Sequence, residues 1–554
     1  MHPLKSPRPD GFSGIFYRKY WRIVGDQVCA MVQEFFTQNT VSSNLNHTFL
    51  CLIPKTTNAC RFDHFQPISL CNFCYKIISR ILTDRLKGII DKLVSPTQSA
   101  FIPGRWIAEC SILAQEVLHS FKNKKGKQGV MAIKTDMSKA YDRLEWSFLL
   151  RVLQANGLCA KACNLIMSCV TSVSYSILLN RAPLAPFNPK RGLRQGDPLS
   201  HFLFILCSEV LSKLISKAEN RGEFSGIKVS RNVMPISHLF YADDAIFFCN
   251  ANSLNAKTFA ECITTYEKWS GQLVNKRKSG LVFSPNTHSE IKVEVKRILD
   301  MNFLSHEGKY LRNPFFFSAS KRKDFHFIKD KIMARLEGWK AKCLSQAGRT
   351  TLVGSVLQSI PTYFMSTARP KNCGGLGLRR FGDTNLALLA KLCWMMMKEE
   401  DKFWVKILQS KYYSRLDIWK VDKQAGDSRV WQGILEARAI CKNGAGILIG
   451  KGDTELWDTP WIPRQSMEKI KESFQYSRRH RFCQVSDLFM EGTRRWNEDI
   501  IRSSFRTEMA TAILQINPLL TDSDILFRKA SKSGTFSVKS VYGLSQQLRF
   551  KEKK

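Results

Sequence analysis

HLFYADDAIFFCN, residues 238–250, decides the fold: two short apolar runs, His238–Ala242 and Ala245–Cys249, flank the adjacent aspartates Asp243 and Asp244. Apolar runs of this length around a tight polar turn read as strand, turn, strand. Adjacent aspartates at turns are usually solvated and carry no chemistry. Here the flanking runs tie the turn to a buried sheet, which argues against that bland reading. Upstream, GVMAIKTDMSKAYD holds a second strand, Val130–Thr135, that ends on Asp136.

Carboxylates at the ends of neighbouring strands suit phosphoryl transfer. Two divalent metals roughly 3.5–4 Å apart can activate an attacking hydroxyl and stabilise the leaving oxygen. Magnesium keeps several waters and takes only one or two carboxylates, with phosphate oxygens completing its shell. One aspartate at a strand end and a pair at a hairpin turn supply such ligands without a large protein cage.

Charge points the same way. Lys and Arg number 84 against 47 acidic residues, a net +37, and the basic residues are spread along the chain. An excess of that size repels itself unless a polyanion neutralises it, so nucleic acid is the expected partner. No apolar run approaches the roughly 18–20 residues that cross a bilayer, the longest candidate lying around Phe202–Cys207. The N-terminus also lacks the apolar core of a signal peptide. An intracellular, reducing setting with no membrane association is therefore expected, and the 17 cysteines should be mostly free thiols rather than a disulfide framework. Cys71 and Cys74 form a CxxC, but SLCNFCYKIISRIL continues as an apolar helix, so both read as core thiols rather than zinc ligands.

With 554 residues the chain exceeds what one core usually supports, so two or more units are expected, with 44% hydrophobic residues to fill them. Ile78, Ile81, Leu82, Leu86, Ile89 and Leu93 recur at helical spacing over Lys76–Leu93. SKAYDRLEWSFLLRVLQANG, after Asp136, reads as one helix stopped by Gly157. Phe325, Ile328, Ile332, Leu336 and Trp339 trace another helical face, and Ser345 is placed to cap a helix through Thr350–Leu357. From Lys371 the tail changes character, with many tryptophans and paired glycines, and reads as a separate unit.

LIPK (52–55), QPISL (66–70), QSAFIPGR (98–105), DMSKAYD (136–142), RGLRQGDPLS (191–200), YADD (241–244) and NKRKSG (275–280) stand in the order found in non-LTR retrotransposon reverse transcriptases. Together they resemble the plant LINE-type members most closely, densely over residues 1–370 and more loosely beyond. The resemblance implies an α+β right-hand polymerase with fingers, palm and thumb. Residues 1–50 would lead into the fingers, 51–300 form fingers and palm, and 301–368 form the primer grip and thumb. Residues 369–470 would be a connector, and 471–554 the start of a reverse-transcriptase zinc-binding domain.

The same resemblance assigns roles. Asp136, Asp243 and Asp244 would hold two Mg2+ ions, with Mn2+ a possible substitute, and Ala242 would lie beside the primer end. Tyr141 would be the plate under the sugar that blocks a 2′-hydroxyl, a task suited to a rigid flat ring. Gln195 and Gly196 would contact nucleotide or template, and Arg191 or Arg194 would meet phosphates. Lys278 would donate a proton to departing pyrophosphate, and Lys55 would approach the triphosphate as a point charge. RNA template, DNA primer and deoxynucleotide triphosphates are the implied partners, and the nucleus the implied place of action.

Several positions depart from the resembling pattern. Gln66 stands where an arginine is usual, Arg8 where glycine is common, His201 where proline is common, and YLRNP (310–314) where a YLGLP-like segment is expected. The step from Ala368 to Arg369 is shorter than in those relatives. The tail from SGTFSVKSVYG, at Ser533, resembles the start of the zinc-binding domain without its later cysteines and histidine, so no structural zinc is expected. Endonuclease and RNase H regions, common neighbours in such elements, are not expected within these residues. Two functions follow from the pattern: an RNA-directed DNA polymerase, favoured by the three aspartates, and a non-catalytic nucleic-acid-binding remnant, favoured by Gln66.

Overall fold

The computed structural model describes residues 8–315 apart from 57, 123, 231–232 and 305–307, then 326–336, 345, 360, 381–398, 400–413, 418–463, 465, 467–474, 482–529, 531 and 533–551. The chain divides into two units, Met1–Val229 with Met234–Phe315, and Ser230–Val233 with Phe316–Lys554. That division falls inside the segment expected as primer grip and thumb. The Ala368 junction and the helix capped by Ser345 lie outside the described residues.

Nine strands build the first unit's two main sheets: β1 (His47–Pro54), β2 (Phe65–Cys71), β3 (Val130–Asp136), β4 (Ser174–Leu179), β5 (Ala182–Pro183), β6 (His238–Tyr241), β7 (Asp244–Asn250), β8 (Gly280–Phe283) and β9 (Asn302–Phe303). One sheet runs β2-β1-β4-β5, with β1 antiparallel to β2 and parallel to β4. The other runs β6-β7-β3-β8-β9, antiparallel except for its last pair. Its inner strands are buried on both faces, which is why their sequences are near-continuous apolar runs rather than alternating ones.

The helix Pro198–Asn220 fills the core behind this second sheet, with Leu203, Ile205, Cys207 and Ile215 fully buried. It packs against the helices Phe73–Lys87, Ser253–Ser270 and Trp146–Ala155. Burying each such side chain stabilises the unit by about 1.5–3 kcal/mol. This helix, which contains the Phe202–Cys207 run, is long and apolar enough to cross a membrane by length and composition, but it is mostly buried inside the protein.

Two expected helices are broken. The apolar stripe of Lys76–Leu93 is split into Phe73–Lys87 and the short Ile90–Leu93, with Gly88 and Ile89 between. The helix after Asp136 is split into Ala140–Arg143 and Trp146–Ala155, and between them the Glu145 backbone N–H donates to Ser270 O at 2.9 Å. A helix is present over His326–Leu336, covering Ile328, Ile332 and Leu336 of the expected face, while Phe325 and Trp339 lie outside the described residues. Cys71 is buried and Cys74 half-buried, and the described cysteines are free thiols.

In the second unit the helices Phe381–Met397, Arg429–Gly444 and Val538–Lys551 pack together. A two-stranded sheet pairs Ala445–Leu448 with Ile525–Arg528. A separate core including Ile449, Leu456, Trp461, Ile470, Val485, Ile501 and Ile513 runs continuously across residue 470.

Candidate active site

The β3–β7 ladder sets Asp136 directly opposite Asp244, and β6–β7 sets Tyr241 opposite Asp244. This leaves Ala242 and Asp243 as a two-residue hairpin turn. Hairpin turns that match the strand twist require positive φ, and Ala242 supplies it at +56° without being glycine. Buried Gln98 supports the strained turn: its side-chain oxygen accepts from the Ala242 N–H at 3.3 Å and from the Ala100 N–H at 3.0 Å. Nothing in the residues around Gln98 announces this bracing role, although the residue lies within the QSAFIPGR motif.

Like charges gather at this turn. The Asp243 side chain reaches solvent, yet the protein around its carboxyl raises its pKa, and the charge of Asp136 raises it further. Asp244 is raised first by burial and then by Asp243, with Lys134 and Arg312 pulling it down. Arg312 occupies the two-residue turn of YLRNP at φ +63°, where the resembling pattern carries glycine.

Lys278 comes to the same place because the NKRKSG loop folds over the end of β3. The Asn275 N–H donates to Asp136 O at 2.7 Å, and the Asp136 N–H donates to Ser279 Oγ at 3.1 Å. Lys278 Nζ then stands 3.9 Å from Asp136 Oδ2, with most of its side chain in solvent. Among the described residues, no three acidic, histidine or cysteine side chains form a preassembled metal cage. The paired, mutually repelling carboxylates nevertheless fit hard divalent cations that bring their own waters and phosphate oxygens.

A second group lies beside it. Lys55 is exposed at the end of β1, and its backbone N–H donates to His64 O at 2.8 Å. Gln66, opposite Ile53 in the β1–β2 ladder, donates its side-chain N–H to Gln195 Oε1. Gln195 in turn donates to Asp142 Oδ1 at 3.4 Å, and its backbone oxygen accepts from the Ser69 N–H at 2.9 Å. Burial raises the Asp142 pKa, while Gln195, Lys139 and Lys55 lower it. Gly196 takes φ +103°, and a Cβ there would lie 3.3 Å from Ser69 O, so the loop needs glycine to approach β2.

The two arginines of RGLRQGDPLS separate. Arg191 is exposed and pairs with Glu145 at 3.2 Å. Arg194 is 3% exposed, bonded to Asn46 and to Cys169 O, 3.4 Å from Asp197, and stacked 3.9 Å over the Tyr75 ring. It is a core strut that cannot meet a phosphate. Asp197 caps the helix Pro198–Asn220 by accepting from the Leu199 N–H, with Pro198 at the first helical position.

Tyr141 leans on this helix from the short helix Ala140–Arg143. Its ring stacks on Phe204, and its hydroxyl is hydrogen-bonded to His201 Nδ1 at 2.7 Å. Burial, and then the nearby charge of Asp243, push its pKa up.

The first unit thus carries an antiparallel sheet with aspartates at a hairpin turn and helices behind it, together with a second sheet of four strands. Residues 53–314 match the family model described as reverse transcriptase (RNA-dependent DNA polymerase). The chain is similar to the transposon TX1 149 kDa protein of Xenopus laevis, 27% identical over 379 residues, covering 66% of this chain and 27% of that protein. It is also similar to the retrovirus-related Pol polyprotein from a type-1 retrotransposable element R2 of Popillia japonica, 24% identical over 229 residues, covering 41% of this chain and 31% of that one. The chain thus spans about a quarter to a third of the length of these two relatives. A telomerase from Candida albicans, solved with a fragment of telomeric RNA, superposes at a TM-score of 0.33 and 12% identity, covering 77% of this chain and 69% of that one.

Proposed function

We propose that this chain is the polymerase portion of a non-LTR retroelement of plant LINE type, an RNA-directed DNA polymerase that extends a DNA primer on an RNA template in the nucleus. The observation that carries the reading is the register of Asp136 against Asp244 around a strained two-residue turn holding Asp243, within residues matching a reverse transcriptase.

Asp136, Asp243 and Asp244 would hold two Mg2+ ions, or Mn2+ in their place. When bound, the ions lower the charge barrier to attack of the primer 3′-hydroxyl on the α-phosphate. Lys278, 3.9 Å from Asp136, would give a proton to the departing pyrophosphate. Lys55 and Arg191 offer positive charge to the triphosphate and the template backbone. Gln66, Gln195 and Gly196 form the floor on which nucleotide and template edge would rest. Tyr141 excludes a ribose 2′-hydroxyl by occupying its space.

Gln66 supports the second reading, a nucleic-acid-binding remnant, because an amide cannot replace a forked cation on phosphate. Purified chain incubated with a DNA primer on an RNA template separates the two. The polymerase reading expects extension that requires Mg2+ and all four deoxynucleotides and stops with chelator. Template binding with no extension in either Mg2+ or Mn2+ would instead establish the remnant.

A further inference from the structure

Phe101, Tyr141, His201 and Phe204 converge beside the carboxylates from three separate stretches of chain. Phe204 lies flat against Tyr141, ring centroids 5.0 Å apart and planes 16° off parallel. One turn earlier on the same helix, His201 meets the Tyr141 ring nearly perpendicularly, at 5.8 Å and 82°. Its Nδ1 is hydrogen-bonded to the Tyr141 hydroxyl at 2.7 Å. Phe101 stacks on His201 at 4.4 Å and 15°, from a left-handed backbone with φ +58°.

Tyr141 is therefore held at two points. Phe204 fixes the face of its ring, but a ring supported on one face can still swing away from the substrate side. The hydrogen bond at the hydroxyl, the point farthest from the backbone, removes that swing. We propose that His201 is a positioning residue that locks Tyr141 in place and thereby sets how strictly the site distinguishes deoxyribonucleotides from ribonucleotides.

The inference rests on the polymerase reading and on Tyr141 as the plate under the sugar. Proline, common at this position in the resembling pattern, offers no ring nitrogen to the hydroxyl, so the lock belongs to this chain's own sequence. Burial lowers the His201 pKa, which favours a neutral ring able to share this bond in either tautomer. Phe101 covers the outer face of the imidazole.

Single-nucleotide incorporation opposite one RNA template base, measured with a deoxynucleotide and with its ribo counterpart, tests the proposal in three variants. His201→Phe keeps an aromatic ring against Phe101 but loses the bond. It should raise the ribo-to-deoxy ratio of kcat/KM about fivefold, the equivalent of one ordinary hydrogen bond. His201→Gln retains a hydrogen-bonding group and should bring the ratio back toward the parent value. Tyr141→Val removes the plate itself and should raise the ratio further than either. A merely structural role for His201 would depress use of both nucleotides together and leave the ratio unmoved.

An unchanged ratio in His201→Phe, with the expected rise in Tyr141→Val, overturns the positioning role and spares the plate. An unchanged ratio in Tyr141→Val overturns the plate and the inference with it. No incorporation of either nucleotide by the parent chain overturns the polymerase reading on which both rest.

Discussion

Replacing Gln66 with arginine is the perturbation whose outcome the structure constrains most. Gln66 now donates to Gln195, which donates to Asp142, so β2 is linked to the short helix Ala140–Arg143 through two amide side chains. Gln66→Arg would break the amide pair, a loss of about 1 kcal/mol for a neutral hydrogen bond. It would gain charge-assisted bonds of about 1.5–3 kcal/mol to a triphosphate oxygen. The difference, roughly 0.5–2 kcal/mol, is about a two- to thirtyfold fall in the Michaelis constant for deoxynucleotides. The lower end applies if Asp142, close by, captures the guanidinium. The assay is steady-state single-nucleotide addition on a primed RNA template, with template affinity measured separately by anisotropy. A Michaelis constant unchanged or raised, in a variant that is folded and binds template normally, would refute the claim that the missing cation limits nucleotide binding.

Other outcomes follow from charge. Asp243 and Asp244 have pKa values raised by burial and by neighbouring carboxylates, Asp136 for Asp243, and Asp243 and Asp136 for Asp244, so the folded state holds their protons more tightly than the unfolded chain does. Their ionisation therefore costs stability, and the cost grows as pH rises from the ordinary carboxylate range through their folded values. Asp244→Asn should raise Tm at neutral pH in chelator and should respond less to added Mg2+ than the parent. A lower Tm in chelator would contradict the repulsion. Binding to primed RNA should weaken steeply with salt, each neutralised phosphate adding a log–log slope of roughly 0.7–0.9, and a salt-independent affinity would contradict the polyanion reading.

Much of the site was legible because its residues are neighbours in sequence or lie at strand ends. The apolar runs around Asp243 and Asp244, and the strand ending at Asp136, are local patterns, and the structure places them as β6, β7 and β3. What was not legible depends on distant partners. Arg194 looks like a phosphate-binding arginine in RGLRQGDPLS, but Asn46, Tyr75 and Cys169 claim it in the core. The break before Trp146 is set by Ser270, far along the chain, which draws off the Glu145 N–H. The left-handed turn at Ala242 depends on Gln98 rather than on a local glycine. The His201–Tyr141 bond joins residues sixty positions apart, and helical or strand periodicity carries no sign of it.

The central claim is that Asp136, Asp243 and Asp244 form one metal-dependent polymerising site, and Asp243→Ala tests it most directly. Extension of a DNA primer on an RNA template would be compared in the parent and the variant at equal occupancy of template. The account predicts that the variant binds template almost as the parent does and adds no nucleotide in Mg2+. Extension by the variant at the parent's rate would contradict it.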